Sequence, residues 1–199
     1  MSQKPIAAAC EIADAHPDDI TSHEVCFFTA STSKLVIMSI CTFGLYEMHW
    51  FYKNWQLIKK SGKRCNPALR ALFAPLFALS CFRYISDSKI KHNINMKFPV
   101  ALLSLAYFMI HATWRLPFPY SLISILSFLP MIAANRTALA VNKTQFPNFT
   151  NNRNFTKWNL LAIVVGGMLL AMVIFGGILL GSDAPPTDSG IPTASYYSF

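Results

Sequence analysis

The segment that most constrains this chain is the uncharged apolar run at residues 158–180. A helix needs about 20 apolar residues to cross about 30 Å of hydrocarbon, at a rise of about 1.5 Å per residue, and this run meets that requirement. Composition agrees, because 53% of the residues are hydrophobic and only 13% are charged, unlike a typical soluble domain. The sequence therefore predicts an integral membrane protein.

Three further apolar segments are predicted to cross the bilayer, at residues 35–52, 98–114 and 120–134. The last two are separated only by a Leu-Pro-Phe-Pro turn, so we expect them to form a hairpin. A fifth segment, residues 68–85, has an arginine near each end and is interrupted by Pro75. These features predict a short re-entrant or interfacial helix instead of a span.

The positions of lysine and arginine set the predicted orientation. Both ends of the chain, residues 1–33 and 182–199, are acidic, whereas the loops between the apolar segments are basic. If segment 68–85 does not span, most of these bases lie on one side of the bilayer, as the positive-inside rule requires, and if it spans, the bias is lost. We therefore expect an all-α polytopic membrane domain at residues 34–181, with four transmembrane helices, one short re-entrant or interfacial helix, and two disordered tails on the outer face.

Glu47 is the only acidic residue inside a predicted span. A carboxylate at membrane depth is costly, so it is either paired or functional. Arg70 and Arg83, at the ends of the fifth segment, are the expected partners, and we favour structural pairing over an ion-handling role. His49 and His111 are predicted to lie near opposite faces, so no joint histidine site is expected.

A basic cluster follows the first predicted span. It could bind anionic lipid headgroups, or it could only fix the orientation of the chain. Its members are Lys59, Lys60, Lys63 and Arg64.

The last predicted span is rich in glycine, which allows close helix approach either within the chain or in a homo-oligomer. The candidate packing positions are Gly166, Gly167, Gly177 and Gly181.

Two further patterns have a plain interpretation. Four Asn-x-Thr tripeptides would be glycan acceptors in a lumenal loop, but the predicted topology puts them on the cytoplasmic side, and chance occurrence is favoured. They begin at Asn135, Asn142, Asn148 and Asn154. A disulfide between Cys10 and Cys26 stays open if the N-terminal tail is outside.

The sequence contains no motif of a nucleotide, hydrolase or metal site, so we predict no catalytic residue, metal ligand or cofactor. The bases adjoin apolar spans, which argues against a nucleic-acid-binding module. The expected partners are the lipid bilayer, including anionic lipid, and either a second copy of the chain or another membrane protein. The favoured function is a non-enzymatic accessory or scaffold protein; the alternatives are a small oligomeric transporter or channel using Glu47 and, more distantly, a lipid-modifying enzyme.

Residues 42–55 read TFGLYEMHWFYKNW, and with residues 67–77 and 114–117 they resemble a family of small, uncharacterised bacterial inner-membrane proteins with a domain of unknown function. The resemblance covers about residues 27–181. It implies location in a bacterial inner membrane and brings no activity. Glu47 matches the motif, whereas His49 stands where relatives usually carry an aromatic residue.

Overall fold

The computed structural model describes residues 26–146 and 149–182. Within these ranges the chain is helical, and its β pairing is limited to an isolated bridge between Ala30 and Asn152. The predicted all-α class is therefore confirmed for the described part of the chain. In chain order the α-helices are α1 (Thr32–Cys41), α2 (Leu45–Lys60), α3 (Pro67–Leu72), α4 (Ala74–Lys91), α5 (Val100–Ala112), α6 (Phe128–Gln145) and α7 (Lys157–Ser182), with 3-10 segments at Thr113–Arg115 and Tyr120–Ser127 between α5 and α6.

The first predicted span is broken in the middle. After α1 the backbone turns left-handed at Phe43 (φ 51°) and Gly44 (φ 83°). The Gly44 N–H donates to the Ser39 carbonyl and the Phe43 N–H to the Ile40 carbonyl, which are the two hydrogen bonds of a Schellman motif. Helix α2 begins directly after this turn, so residues 35–52 do not form the continuous helix that the sequence predicts.

Helices α1 and α2 form a hairpin that returns to the end of the molecule where it started. Phe28 precedes α1, and its backbone N–H donates to Asn54 Oδ1 near the end of α2, at 3.1 Å. The Asn54 side chain also donates to the Phe28 carbonyl, at 3.2 Å. Because α1 has 10 residues, the hairpin reaches only about 15 Å from its entrance. The segment therefore enters and leaves on one side.

Buried asparagines of α6 hold the extended chain before α1. Asn142 accepts from the Phe27 N–H at 2.9 Å and donates to the Phe27 carbonyl at 2.6 Å. Asn135 makes the same pair of bonds with Ala30, at 3.0 and 2.6 Å. The two asparagines are about 10 Å apart along the helix, which matches the extended rise from Phe27 to Ala30. These amides, together with Asn54, satisfy the backbone as a neighbouring strand would; we call the three residues the asparagine clamp.

The clamp also explains two of the Asn-x-Thr tripeptides. Asn135 and Asn142 are buried and fully engaged with backbone, so the folded protein does not offer them as glycan acceptors. Asn154 is exposed, and Asn148 lies outside the described residues. Cys10 also lies outside them, so its pairing with Cys26 stays a prediction.

The loop before α7 lies beside the start of α1. Lys34 Nζ donates to Asn152 Oδ1 at 2.9 Å and to the Asn154 carbonyl at 2.7 Å, and the Ser31 N–H donates to the Asn152 carbonyl at 3.1 Å. The predicted topology separated these two regions by the full bilayer. That separation is wrong, because both regions lie at one end of the molecule.

The fifth predicted segment also differs from expectation. Residues 68–85 belong to two helices, α3 and α4, which break at Phe73, and α4 continues to Lys91. The sequence prediction of one short helix is therefore wrong in its bounds. Pro75 lies in the first turn of α4, where it needs no hydrogen-bonded N–H.

The core is built around α2. Trp50, Phe51 and Trp55 are fully buried. The Phe51 ring stacks on Phe82 of α4, with centroids 6.0 Å apart, and lies 5.5 Å from the Tyr107 ring of α5. The α1–α2 hairpin is thus anchored by aromatic packing against α4 and α5.

Two helical stretches are long and apolar enough to cross a membrane, Tyr120–Gln145 and Lys157–Leu179. The second is almost wholly exposed along its length. Helix α5 has 13 residues, or about 20 Å, and packs against both α6 and the 3-10 segment before it, as the predicted hairpin requires. Length and composition in the described ranges therefore do not confirm four spans.

Candidate functional site

Glu47 owes its position to the break between α1 and α2. Gly44 is the N-cap of α2, so Glu47 falls in the first turn of a new helix. A carboxylate at this place is stabilised by the positive end of the helix dipole. The side chain is nevertheless buried, with 1% of its surface exposed, and therefore needs partners within the protein.

Three side chains from other elements supply these partners. Ser127 Oγ donates to Glu47 Oε1 at 2.8 Å. His111 Nε2 lies 3.3 Å from Glu47 Oε2. The Tyr107 side chain lies beside the same carboxylate. We call these four residues the Glu47 cluster; it joins α2, α5 and the start of α6.

The order of contacts excludes a hydrolase-type triad in this arrangement. Such a triad needs a histidine between the hydroxyl nucleophile and the acid. Here the only proton of the Ser127 hydroxyl points to Glu47, and the carboxylate lies between Ser127 and His111. The cluster can hold and pass a proton, but it does not activate the serine.

His111 connects the buried carboxylate to an open pocket. Its side chain is 28% exposed, and its ring packs edge-on against Tyr107 with centroids 4.6 Å apart. The pocket has a volume of about 380 Å³ and is lined by Phe43, His111, Trp114, Ser124 and Ile125. Glu47 is therefore one side chain away from an open cavity.

Phe43 reaches this pocket from an unfavourable backbone conformation. A left-handed residue other than glycine costs about 1–2 kcal/mol, and Phe43 adopts φ 51° while 43% of its surface is exposed. Such outliers persist where surrounding structure enforces them, and they concentrate at functional sites. The same turn that creates the N-terminus of α2 thus places an aromatic ring at the pocket.

The arginines predicted to pair with Glu47 lie elsewhere. The Arg70 guanidinium is 4.4 Å from the Trp55 ring centroid and 5.4 Å from that of Phe77. Arg83 is exposed. The side chain that the structure places against Glu47 is His111, so the expected pairing of Glu47 with Arg70 or Arg83 is wrong.

The other sequence candidates lie apart from this cluster. His49 is exposed, and its ring centroid lies 5.8 Å from that of Phe28 and 6.0 Å from that of Tyr46. The predicted lipid-headgroup residues lie in the last turn of α2 and in the loop after it, and all are exposed; Lys63 Nζ lies 5.9 Å from the Tyr84 ring centroid. They are Lys59, Lys60, Lys63 and Arg64.

Two of the α7 glycines make contacts within the chain. A Cβ at Gly166 would lie 1.7 Å from the Cys41 carbonyl oxygen, and one at Gly177 would lie 2.5 Å from the Phe118 ring. A Cβ at Gly167 would meet nothing within 4 Å. The surroundings of Gly181 lie outside the described residues.

Across the described ranges, no group of three or more His, Cys, Asp or Glu side chains is arranged to hold a metal ion. Comparisons with protein-family models, curated proteins and solved structures find no match to this chain. The resemblance of residues 42–55 to inner-membrane proteins therefore stays an expectation, and function has to be argued from the site itself.

Proposed function

We propose that this chain is an integral membrane protein with three crossings and one re-entrant hairpin. The contacts that α7 makes along its length indicate how deep the other elements lie in the bilayer. Its start adjoins Asn154, which binds Lys34; Gly166 meets the hairpin tip at Cys41, and Gly177 meets Phe118 between α5 and α6. Lys157 and Gly177 are about 30 Å apart along the helix, the thickness of the hydrocarbon. The crossings are then α5 with its 3-10 extension, Tyr120–Gln145 and α7.

The distribution of bases supports this arrangement. The hairpin puts residues 26–34 on the same side as the loops after α2, α4 and α6. Every lysine and arginine of the chain except Arg115 then lies on that side or, for Arg136 and Lys143, in the half of the Tyr120–Gln145 crossing nearer to it. This is a stronger bias than the four-span arrangement achieves. By the positive-inside rule this side is cytoplasmic, and the C-terminal tail is outside.

We further propose that the protein is a small transporter or channel for protons or small cations, located in a bacterial inner membrane. The observation that carries this proposal is the Glu47 cluster, which lies at the tip of a broken helix about halfway along α7. Irregular backbone at membrane depth is tolerated where it is covered by protein or lines a cavity, and carboxylates there mark ion and proton paths. Three crossings enclose little space, so an oligomer completes the path.

An accessory or scaffold role is the second candidate. It is supported by the exposed basic cluster after α2, which on the cytoplasmic side would lie near anionic headgroups. A scaffold of this kind needs no buried carboxylate beside a pocket, which is why we rank it second.

The test is proton flux into proteoliposomes. Purified protein is reconstituted, a potassium diffusion potential is applied with valinomycin, and internal pH is followed with a trapped dye. We expect flux above that of empty liposomes, and we expect Glu47→Gln to reduce it to the empty-liposome level.

Asp87→Asn is the matched control, because it removes an exposed carboxylate on α4 and should leave flux unchanged. Size-exclusion profiles of both variants establish that they remain folded. If the wild-type chain gives no flux of protons or alkali cations, or if Glu47→Gln conducts normally, the transport proposal is wrong.

A further inference from the structure

The pocket beside His111 has the chemistry of a site for an organic cation. Building on the proposed function, we propose that it binds a small alkylammonium or quaternary ammonium ion between Phe43 and Trp114, with the Glu47 carboxylate behind His111 as the counter-charge.

The walls are aromatic. Phe43 and Trp114 both line the cavity, and the faces of such rings attract cations within about 6 Å of the centroid. The Trp114 ring already accepts one cation in this way, since the Arg115 guanidinium lies 5.8 Å from its centroid. Arg115 itself is exposed, so water screens its charge from the cavity.

The group that would supply the charge is the Glu47 carboxylate. The described partners of Glu47 are two hydroxyls and one imidazole, none of which is a permanent cation, and Arg70 and Arg83 are occupied or exposed elsewhere. Burial strengthens electrostatic interactions because the local dielectric constant is low. A cation in the pocket would therefore be attracted to Glu47 across the His111 ring.

Ser124 offers a polar contact. Its hydroxyl proton is used by the Ser121 carbonyl at 2.7 Å, so its oxygen lone pairs can accept from an N–H or O–H of the ligand. The cavity volume of about 380 Å³ lies in the range of small-molecule sites. Together these features favour an ammonium ion that carries a second small polar group.

The test compares choline with its neutral isostere, 3,3-dimethylbutan-1-ol, by calorimetric titration of the full chain in maltoside detergent free of choline lipids. We expect saturable binding of choline and at least about tenfold weaker binding of the isostere, since only the charge differs. Trp114→Ala and Glu47→Gln should each weaken choline binding at least tenfold, whereas Trp114→Phe should retain most of it.

Trp158→Ala is the matched control, because Trp158 is 79% exposed at the start of α7, far from the pocket, and should bind choline as the wild type does. Equal affinity for choline and the isostere, or full affinity in Trp114→Ala, would overturn this proposal. The outcome is separable from transport: proton flux in choline-free liposomes that depends on Glu47 upholds the proposed function even if choline does not bind.

Discussion

At the scale of single residues, the site depends on which side chain compensates Glu47. Glu47 pairs with His111 and also accepts a hydrogen bond from Ser127. Because Glu47 is buried, the identity of its partner strongly affects stability. Removing one partner of a buried pair strands the other, which costs more than the net value of the pair itself. Coupling between the two positions is therefore the appropriate measure of the interaction.

We expect a double-mutant cycle on Glu47→Gln and His111→Gln to be strongly non-additive. Residues in direct contact show coupling of about 0.5–3 kcal/mol, whereas independent distant sites add to within about 0.5 kcal/mol. The measurement is thermal unfolding of each variant in detergent. A parallel cycle of Glu47→Gln with Arg70→Met should be additive, because Arg70 stacks on Trp55; coupling to Arg70 instead of His111 would contradict the structure.

At the scale of elements, the sequence predicted where apolar helices occur better than how they end. Residues 158–180 and the α5–α6 hairpin have continuous apolar runs, and those elements form. The turn at Gly44 was missed because apolar composition continues through it, although a glycine after Thr-Phe is a helix-stop signal. The sequence around Asn135 and Asn142 predicted only Asn-x-Thr tripeptides and not their structural role. Their hydrogen bonds join a segment more than 100 residues away, and such distant pairing produces no local sequence pattern.

Two neighbouring glycines of α7, one in contact with α1 and one not, allow the packing of these helices to be tested. Gly166→Ala would drive a methyl group into the Cys41 backbone, where a Cβ would be 1.7 Å from oxygen, so we expect a large loss of stability or no folded protein. Gly167→Ala meets open space and should be neutral or slightly stabilising, because alanine is the better helix former. Melting temperature and yield of monodisperse protein check both variants; equal behaviour would show that α1 and α7 do not touch there.

The asparagine clamp makes a second prediction at this scale. Asn142→Ala removes the side chain that pairs with both the N–H and the carbonyl of Phe27. The free energy of unfolding should fall by about 1–3 kcal/mol for each backbone group left unsatisfied. Asn142→Asp should also destabilise, because a carboxylate cannot donate to the Phe27 carbonyl. Asn95→Ala, at an exposed site, is the control. Unfolding in detergent provides the comparison, and equal stability of Asn142→Ala and Asn95→Ala would rule the clamp out.

At the scale of the whole molecule, the proposed arrangement changes the number of crossings that lie between the two ends of the chain. Counting bases over four assumed spans put both tails outside. That count depended on treating residues 35–52 as a crossing, and hydropathy alone cannot distinguish a crossing from a hairpin that returns. The contact between Phe28 and Asn54 supports the hairpin on which the proposed arrangement is based.

We therefore expect the N-terminus and C-terminus to lie on opposite faces. Epitope tags placed before residue 1 and after residue 199 can be probed by external protease in spheroplasts of a bacterial host. The C-terminal tag should be digested and the N-terminal tag protected until the membrane is lysed. Digestion of both tags would contradict the three-crossing arrangement and support four spans. A soluble cytoplasmic protein fused to the same tags is the control for membrane integrity.

The asparagine clamp also has a consequence for biosynthesis. Phe27 leaves the ribosome early, yet Asn142 follows 115 residues later. Until Asn142 is synthesised, the backbone groups of Phe27 lack this hydrogen-bond partner, and the α1–α2 hairpin cannot yet pack against α6. Residues 27–30 are thus synthesised early but held in place late. A nascent chain halted before α6 would have an N-terminal half in which these backbone groups are still unpaired.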